Sequence, residues 1–409
     1  MISLNTAINI IKKRVSPLSV VWKDIDLAEG DIAALDIRID IDLPPFNRAV
    51  MDGFAINRAS YNRKRVYTII GEIRAGAEPG PANRKQALGS GFYAFRIMTG
   101  AKVPDGFNAV IPIEESKEGE NNTVQFRMGM VPSSLNIALK GSDCKKGRLI
   151  MCGGDRIVSA NLPALLSSGM KRVKVFKRPD VSLLITGNEL VEIDVKPKGM
   201  QRRNVNKHIL KTLCLKHNIN LKRVLTVGDN KRSIREKIRE LTDSCDLLIS
   251  TGAVSMGKYD HIPEIIREGY DLLFHKVAQR PGKPVLLGQN KRRKKYILGL
   301  PGNPLSMLSS FYSIGLPLIR RLSGFSDINN RVYKGILTKS YKREDERIHF
   351  VPAGIIFHES VFKVHPKPFH TSGDVISLIG TDGWFIADRE RVKFNKGDKV
   401  SFFTFNMQL

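Results

Sequence analysis

The stretch LLISTGAVSMGKYDHI, residues 247–262, sets small residues, hydroxyls and one carboxylate directly behind an apolar run. The turn holding Gly252, Ser255 and Gly257 would set exposed backbone N–H groups and a hydroxyl at a strand's carboxyl end, where ligands of open α/β sheets sit, and Asp260 follows as a candidate Mg²⁺ ligand or helix cap. Taken alone, an ordinary Gly-rich turn between strand and helix explains the stretch equally well. In QRPGKP, Arg280 and Lys283 stand three residues apart around a Pro-Gly turn. Both charges could face one phosphate or other oxyanion, although a solvated basic turn is the plainer reading. In LPGNPLS, Pro301, Gly302 and Asn303 precede a long helical pattern with Ser306 in its first turn. Free N–H donors and the partial positive charge of a helix start suit an anion there. Two more carboxylates, Asp52 in PPFNRAVMDGFAI and Asp143 in LKGSDCKKG, lie far away in sequence, and each alone reads as a turn residue.

Other chemistries find no support. No Ser/His/Asp order, HExxH pair or Walker loop occurs, and the eight histidines are dispersed. Cys144, Cys152, Cys214 and Cys245 show no metal-type spacing and imply no disulfide framework, so a reducing cytoplasm is the expected compartment. No apolar run approaches the ~20 residues of a membrane helix, and no signal peptide is evident, so no membrane partner is expected. The formal charge of +26 is spread in clusters such as NRKR and KRRKK, while aromatics are only 7%. A nucleic-acid binder would concentrate charge and interleave aromatics, so nucleic acid is not an expected partner. Attraction for phosphorylated or oxyanion ligands fits better.

The elements that must position these residues change character along the 409-residue chain, which is too long for one core. Residues 1–45 open with a helix and reach an extended Pro44-Pro45 pair; residues 46–144 are rich in Gly and short alternating strands. Residues 145–178 read as strand, helix and strand, with Ser159 or Asn161 as the helix cap. From 179 to 325 strands and helices alternate, ending in the long helix PLSMLSSFYSIGLPLIRRLSG. The expected architecture is therefore a multidomain α/β protein whose central domain has a mostly parallel sheet, with ligands at its strand ends. Residues 326–409 return to short strands, expected as a small β-barrel or sandwich.

LPPFNRAVMDGFAI, RIMTGAKVPDGFNAVI, KGSD, ITGNEL, STGAVSMGKYD, RPGKP, LPGNPLS and TSGD follow one another in the order found in molybdopterin molybdenumtransferases. The chain resembles that family, the bacterial MoeA proteins and the gephyrin E domain, from about residue 10 to 405. The resemblance implies an elongated connector (1–45 and 145–178), a β-rich domain (46–144), a MogA-like α/β domain (179–325) and a C-terminal β-barrel (326–409). It also implies a homodimer in which Asp52, Thr99 and Asp143 of one chain approach Asp260 of the other. The implied reaction inserts molybdate into adenylylated molybdopterin with Mg²⁺ and releases AMP. Asp260 would hold the Mg²⁺, and Asp52, Asp143, Asp260 and Lys283 would be catalytic. Arg280 and Ser306 would bind oxyanions with Ser372 nearby; Gly187, Glu189, Gly252, Ser255, Gly257, Pro284, Pro301, Gly302, Asn303 and Thr99 would line the substrate site. Further partners would be a MogA-like adenylyltransferase and recipient molybdoenzymes.

The chain departs from the family pattern at Asn204-Val205-Asn206, where Asp-Ser/Thr-Asn is usual, and at Ala253, Ala138, Pro352 and Arg223. A non-catalytic paralogue that binds or delivers molybdopterin is thus the alternative, and a basic scaffold the third.

Overall fold

The computed structural model describes residues 1–79, 91–254, 260–290, 294–367 and 369–405. Its chain forms two compact units. One comprises Met1–Leu35, Gly153–Val158 and Arg172–Leu409; the other comprises Asp36–Cys152 and Ser159–Lys171. The first unit opens with helix α1 (Leu4–Arg14), whose amino end is capped by Ser3 Oγ accepting from Thr6 N. Lys12, Lys13 and Arg14 crowd its last turn, where positive charge offsets the exposed carbonyl ends, while Ala7, Ile8 and Ile11 face the core.

In the second unit, a six-stranded sheet runs Ala109–Pro112, Gly53–Ile56, Tyr93–Ile97, Val66–Ile73, Thr123–Phe126, Ser116–Gly119. Gly53–Ile56 is buried along its whole length because apolar clusters cover both faces of the sheet. Phe54, Tyr67 and Phe126 pack in one cluster, and Phe95 and Phe107 in the other. Helix α2 (Leu162–Ser167) also belongs to this unit. Asn161 occupies its cap position but makes no side-chain capping bond, and Ser159–Asn161 instead form a 3₁₀ turn leading in. Pro163 explains why the cap is dispensable, since it removes one of the N–H groups a cap would satisfy.

In the first unit, α3 (Val205–Lys216), α4 (Lys231–Ser244) and α5 (Ile262–Gly269) accompany a six-stranded sheet. Its order is 220–227, 180–186, 247–251, 295–300, 286–290, 271–275. The first four strands are parallel and the last two antiparallel, so the sheet is mixed. Strand Asp271–His275 edges the sheet; its half-buried, weakly alternating residues carried no clear strand signal. Leu247–Thr251, at the centre, is wholly buried, as an uninterrupted LLIST run predicts.

The closing helix is not continuous α-helix. It runs as α6 (Pro304–Ser310), a π segment Phe311–Gly315, and α7 (Leu316–Leu322). Pro317 supplies the cause: its ring would strike the carbonyl four residues back, and it has no N–H to donate. Widening that turn to π spacing relieves the clash without breaking the rod.

Beyond it, five strands close on themselves in the order 348–358, 361–366, 333–337, 399–404, 383–387, with the last returning to the first. The resulting barrel has no free edge in that ring and is filled by Phe385, Phe394 and Phe402. All four cysteines are free thiols. Cys214 and Cys245 are buried, and burial pushes the Cys214 thiol up to about 12; Cys144 is half-buried and Cys152 exposed.

Candidate active site

Parallel strands leave their carboxyl ends on one side of a sheet, and the loops following 180–186, 247–251 and 295–300 meet there around a cavity of about 430 Å³. Gly187, Glu189, Gly252, Asp260, Pro284, Pro301, Gly302, Asn303, Ser306 and Ser372, all expected from the sequence, line it. Ser255 and Gly257 lie outside the described residues.

Gly252 is required by two constraints at once. Its φ is +92°, and a Cβ there would stand 2.5 Å from Thr186 Oγ1 and 2.6 Å from the Thr186 carbonyl oxygen. The 247–251 loop can therefore lie against the 180–186 loop only if this position has no side chain. Beside it, Asn206 Nδ2 donates to Gly302 O (2.7 Å) and Thr251 Oγ1 (3.0 Å), and Thr251 Oγ1 donates to Pro301 O (3.0 Å). These bonds tie the start of α3, the 247–251 strand end and the LPGNP loop into one floor. Asn206 Oδ1 is buried with no hydrogen-bond partner among the described residues, an acceptor suited to a heterocyclic N–H.

Asn303 sits at the cap of α6 without capping it; its Nδ2 donates to Ser372 Oγ at 2.7 Å. The bond carries the TSGD loop of the barrel region to the cavity and leaves the first-turn N–H groups of the helix unblocked by that side chain. Ser306 is buried in that first turn.

Arg202 and Arg203 also line the cavity, with Asn204 and Asp229. The arginine pair is not among the residues expected from the sequence; its signal is a basic doublet ahead of Asn204, whose Oδ1 accepts from Lys207 N and caps α3. Asn204 thus does locally what an aspartate would do at that cap, without its charge. Asp229 is held in a reciprocal turn: Asn188 N donates to Asp229 Oδ2 (3.1 Å) and Asp229 N to Asn188 Oδ1 (3.0 Å).

The RPGK turn is not a loose solvated loop. Ser309 Oγ donates to Pro281 O and Ser310 Oγ to Gly282 O, each at 3.2 Å, and buried Gln279 donates to Gly282 O. Arg280 and Lys283 themselves are not among the residues lining the cavity, whereas Pro284 is. Arg280 pairs with Glu344 at 2.6 Å and lies 3.4 Å from Asp345. Burial works against its charge, but Glu344 and Asp345 overcome that and raise its pKa.

In the other unit, Asp52 Oδ1 accepts from Thr99 N (2.6 Å) and Thr99 Oγ1 (2.7 Å), so those two expected residues are neighbours. The Thr99 backbone bond, then its hydroxyl, holds this exposed carboxyl below its usual pKa. Asp143 accepts from Ser142 Oγ at 3.3 Å.

A mostly parallel α/β domain with a polar cavity at its strand ends, a closed barrel and a β-rich unit define a multidomain α/β ligand-binding protein. The family model "Probable molybdopterin binding domain" matches residues 182–321. "MoeA N-terminal region (domain I and II)" matches 2–169, and "MoeA C-terminal region (domain IV)" matches 334–405. The molybdopterin molybdenumtransferase of Staphylococcus epidermidis is 30% identical over 92% of this chain and 89% of its own. That of Synechocystis sp. is 28% identical over 98% of this chain and all of its own. A crystal structure of a molybdopterin biosynthesis MoeA protein from Pyrococcus horikoshii superposes with a TM-score of 0.80 at 28% identity, covering 99% of both chains. The chain belongs to the MoeA family of molybdopterin molybdenumtransferases.

Proposed function

We propose that this chain inserts molybdenum from molybdate into adenylylated molybdopterin, with Mg²⁺ as cofactor and AMP as the leaving product. The observation that supports it best is the charge balance of the cavity. Its described lining carries Glu189, Asp229 and Asp260 against Arg202 and Arg203. An anionic phosphate ligand would be repelled by three carboxylates unless a cation stood between them. Mg²⁺ commonly takes one or two carboxylates and draws the rest of its ligands from water and phosphate oxygens. Asp260 would hold it, and when bound it would neutralise charge at the phosphates.

The chain's own groups then have distinct tasks. Gly252 and Gly302 admit the ligand to the backbone; Asn206 Oδ1 accepts from the pterin; Arg202, Arg203 and the start of α6 hold oxyanions. When the P–O–P bond of the adenylate breaks, AMP carries away one phosphate and water supplies the oxygen to the other. Lys283, Arg280, Ser306 and Ser372 are proposed at the oxyanion side. We also propose a cytoplasmic homodimer of four-domain subunits in which Asp52, Thr99 and Asp143 of one chain complete the partner's site. Light scattering should give twice the chain mass; a monomer would sink that part.

The decisive experiment measures AMP release from adenylylated molybdopterin with Mg²⁺, with and without molybdate. Molybdate-dependent release is expected, and Asp260→Asn should reduce it by a factor of about 10² or more while the melting temperature is unchanged. Pterin binding without AMP release would favour the non-catalytic paralogue suggested by Asn204 and Val205.

A further inference from the structure

Arg202 enters the strand-end cavity from a two-residue strand, Arg202–Arg203, which pairs in parallel with Leu190–Val191. Its N–H donates to the carbonyl of Glu189 at 2.8 Å, so its backbone runs beside an acid of the same cavity. An unrestrained guanidinium at that range would fold back onto the carboxylate. Among the described residues the Arg202 side chain forms no ion pair, and its Nη2 reaches the TSGD loop instead. A Cβ added to Gly373 would stand 3.9 Å from Arg202 Nη2 and 3.8 Å from each of Asn303 Oδ1 and Thr371 Oγ1. Polar atoms thus rim a bare space. Arg280 is the contrast, its guanidinium already taken by Glu344.

The loop that faces Arg202 is shaped in advance. Asp374 Oδ1 accepts from Ile376 N (3.1 Å) and Ser377 N (3.2 Å), and Asp374 Oδ2 accepts from His370 N (3.4 Å). Its carboxylate is thereby turned into its own loop. Ser372 Oγ accepts from Asn303 Nδ2, which leaves the hydroxyl hydrogen to donate, and no described residue receives it. Asn303 Oδ1 is the one amide acceptor on the rim, so an anion would settle toward Arg202, Thr371 and the Ser372 hydroxyl. The plain alternative is a solvated surface arginine, since Arg202 is exposed. That accounts for the exposure. It does not account for a guanidinium that passes over Glu189 to stand beside a loop of hydroxyls.

We infer that Arg202 is the specificity-determining cation of this site, clamping one tetrahedral oxyanion against the Ser372 and Thr371 hydroxyls over the bare Gly373. The inference rests on the proposed function, whose substrates bring such a group as free molybdate or as the phosphate of the adenylate. A guanidinium offers two parallel N–H donors to two oxygens of a tetrahedral dianion. A planar monoanion carries less charge and presents a different edge, so the clamp selects by charge and shape together.

The test is calorimetric titration of the full chain with molybdate and, separately, with AMP, at fixed ionic strength. Arg202→Gln should weaken one of the two at least tenfold with the melting temperature unchanged. Loss with molybdate assigns the free ion to the clamp; loss with AMP assigns the phosphate. Arg202→Lys keeps the charge without the fork and should recover part of that loss. Gly373→Val fills the bare space where a Cβ meets only ordinary contacts, and should weaken the same anion. Sulfate should displace that anion from wild type, and nitrate at the same ionic strength should not. Wild-type affinities for both anions in Arg202→Gln and Gly373→Val overturn the inference. So does a wild type that binds neither anion, or equal displacement by nitrate, which would be charge screening without a site. The proposed reaction fails separately. Unchanged molybdate-dependent AMP release with unchanged anion affinities in Arg202→Gln removes the clamp and keeps the reaction; a chain that binds the anion through Arg202 yet releases no AMP does the reverse.

Discussion

At the scale of single residues, the chain shows how one side chain can be replaced without loss of its local task. Asn204 caps α3 where the family pattern has an acid, and Asn206 keeps three loops in register through two hydrogen bonds. What the replacement removes is charge at the cavity, and that is a question of chemistry rather than of folding. His217 carries a different consequence. Its ring packs against Phe311 and Tyr312, and burial first, then Lys216, Arg320 and Arg156, depress its pKa from 6.5 to about 4. The unfolded chain therefore binds this proton more readily than the folded one. Its contribution is fully present above pH 6.5 and is lost as pH falls toward 4, amounting to about 3 kcal/mol at most. His217→Phe should flatten the loss of stability across that window in denaturant titrations at pH 4.5 and 7; equal slopes in both proteins would show that the ring is not the group titrating.

At the scale of elements, the alternation of strands and helices from 180 to 322 was legible because buried parallel strands write themselves as short unbroken apolar runs. LLIST and DVSLLIT are examples, each followed by a turn of small residues. The clustering of TGNEL, STGA and LPGNP about one cavity followed from that rhythm alone. Arg202 and Arg203 did not, because an arginine pair on a two-residue strand looks like any solvated basic doublet. The π segment was written in Pro317, yet a regular apolar period masked it. The docking of the RPGK turn was likewise invisible, since it depends on serines that read as ordinary helix residues. Gly282, at φ +101°, holds that turn: a Cβ would stand 2.2 Å from Ser310 Oγ and 2.7 Å from Gln279 Nε2. Gly282→Ala should cost roughly 2–4 kcal/mol of stability by strain and crowding. Urea unfolding would measure it; a loss under 0.5 kcal/mol would mean that the turn yields freely.

At the scale of the whole molecule, the formal charge of +26 is partly consumed internally, as where Lys177 and Lys295 both reach buried Asp246. Most of the rest is spread over the surface, where it favours any polyanion weakly and in a salt-dependent way without specifying one. The four cysteines divide more sharply. Cys144 and Cys152 belong to the unit built around 36–152, and Cys214 and Cys245 are buried in the other. Burial holds both inner thiols protonated, Cys214 up to about 12, so neither offers the thiolate that reagents attack. A native chain treated with a chromogenic disulfide reagent should release two equivalents quickly and the remaining two only on denaturation; four fast equivalents would contradict the burial. It follows that a maleimide dye added to native protein will mark one unit and spare the other. The chain comes ready for site-selective fluorescence, with no cysteine to remove.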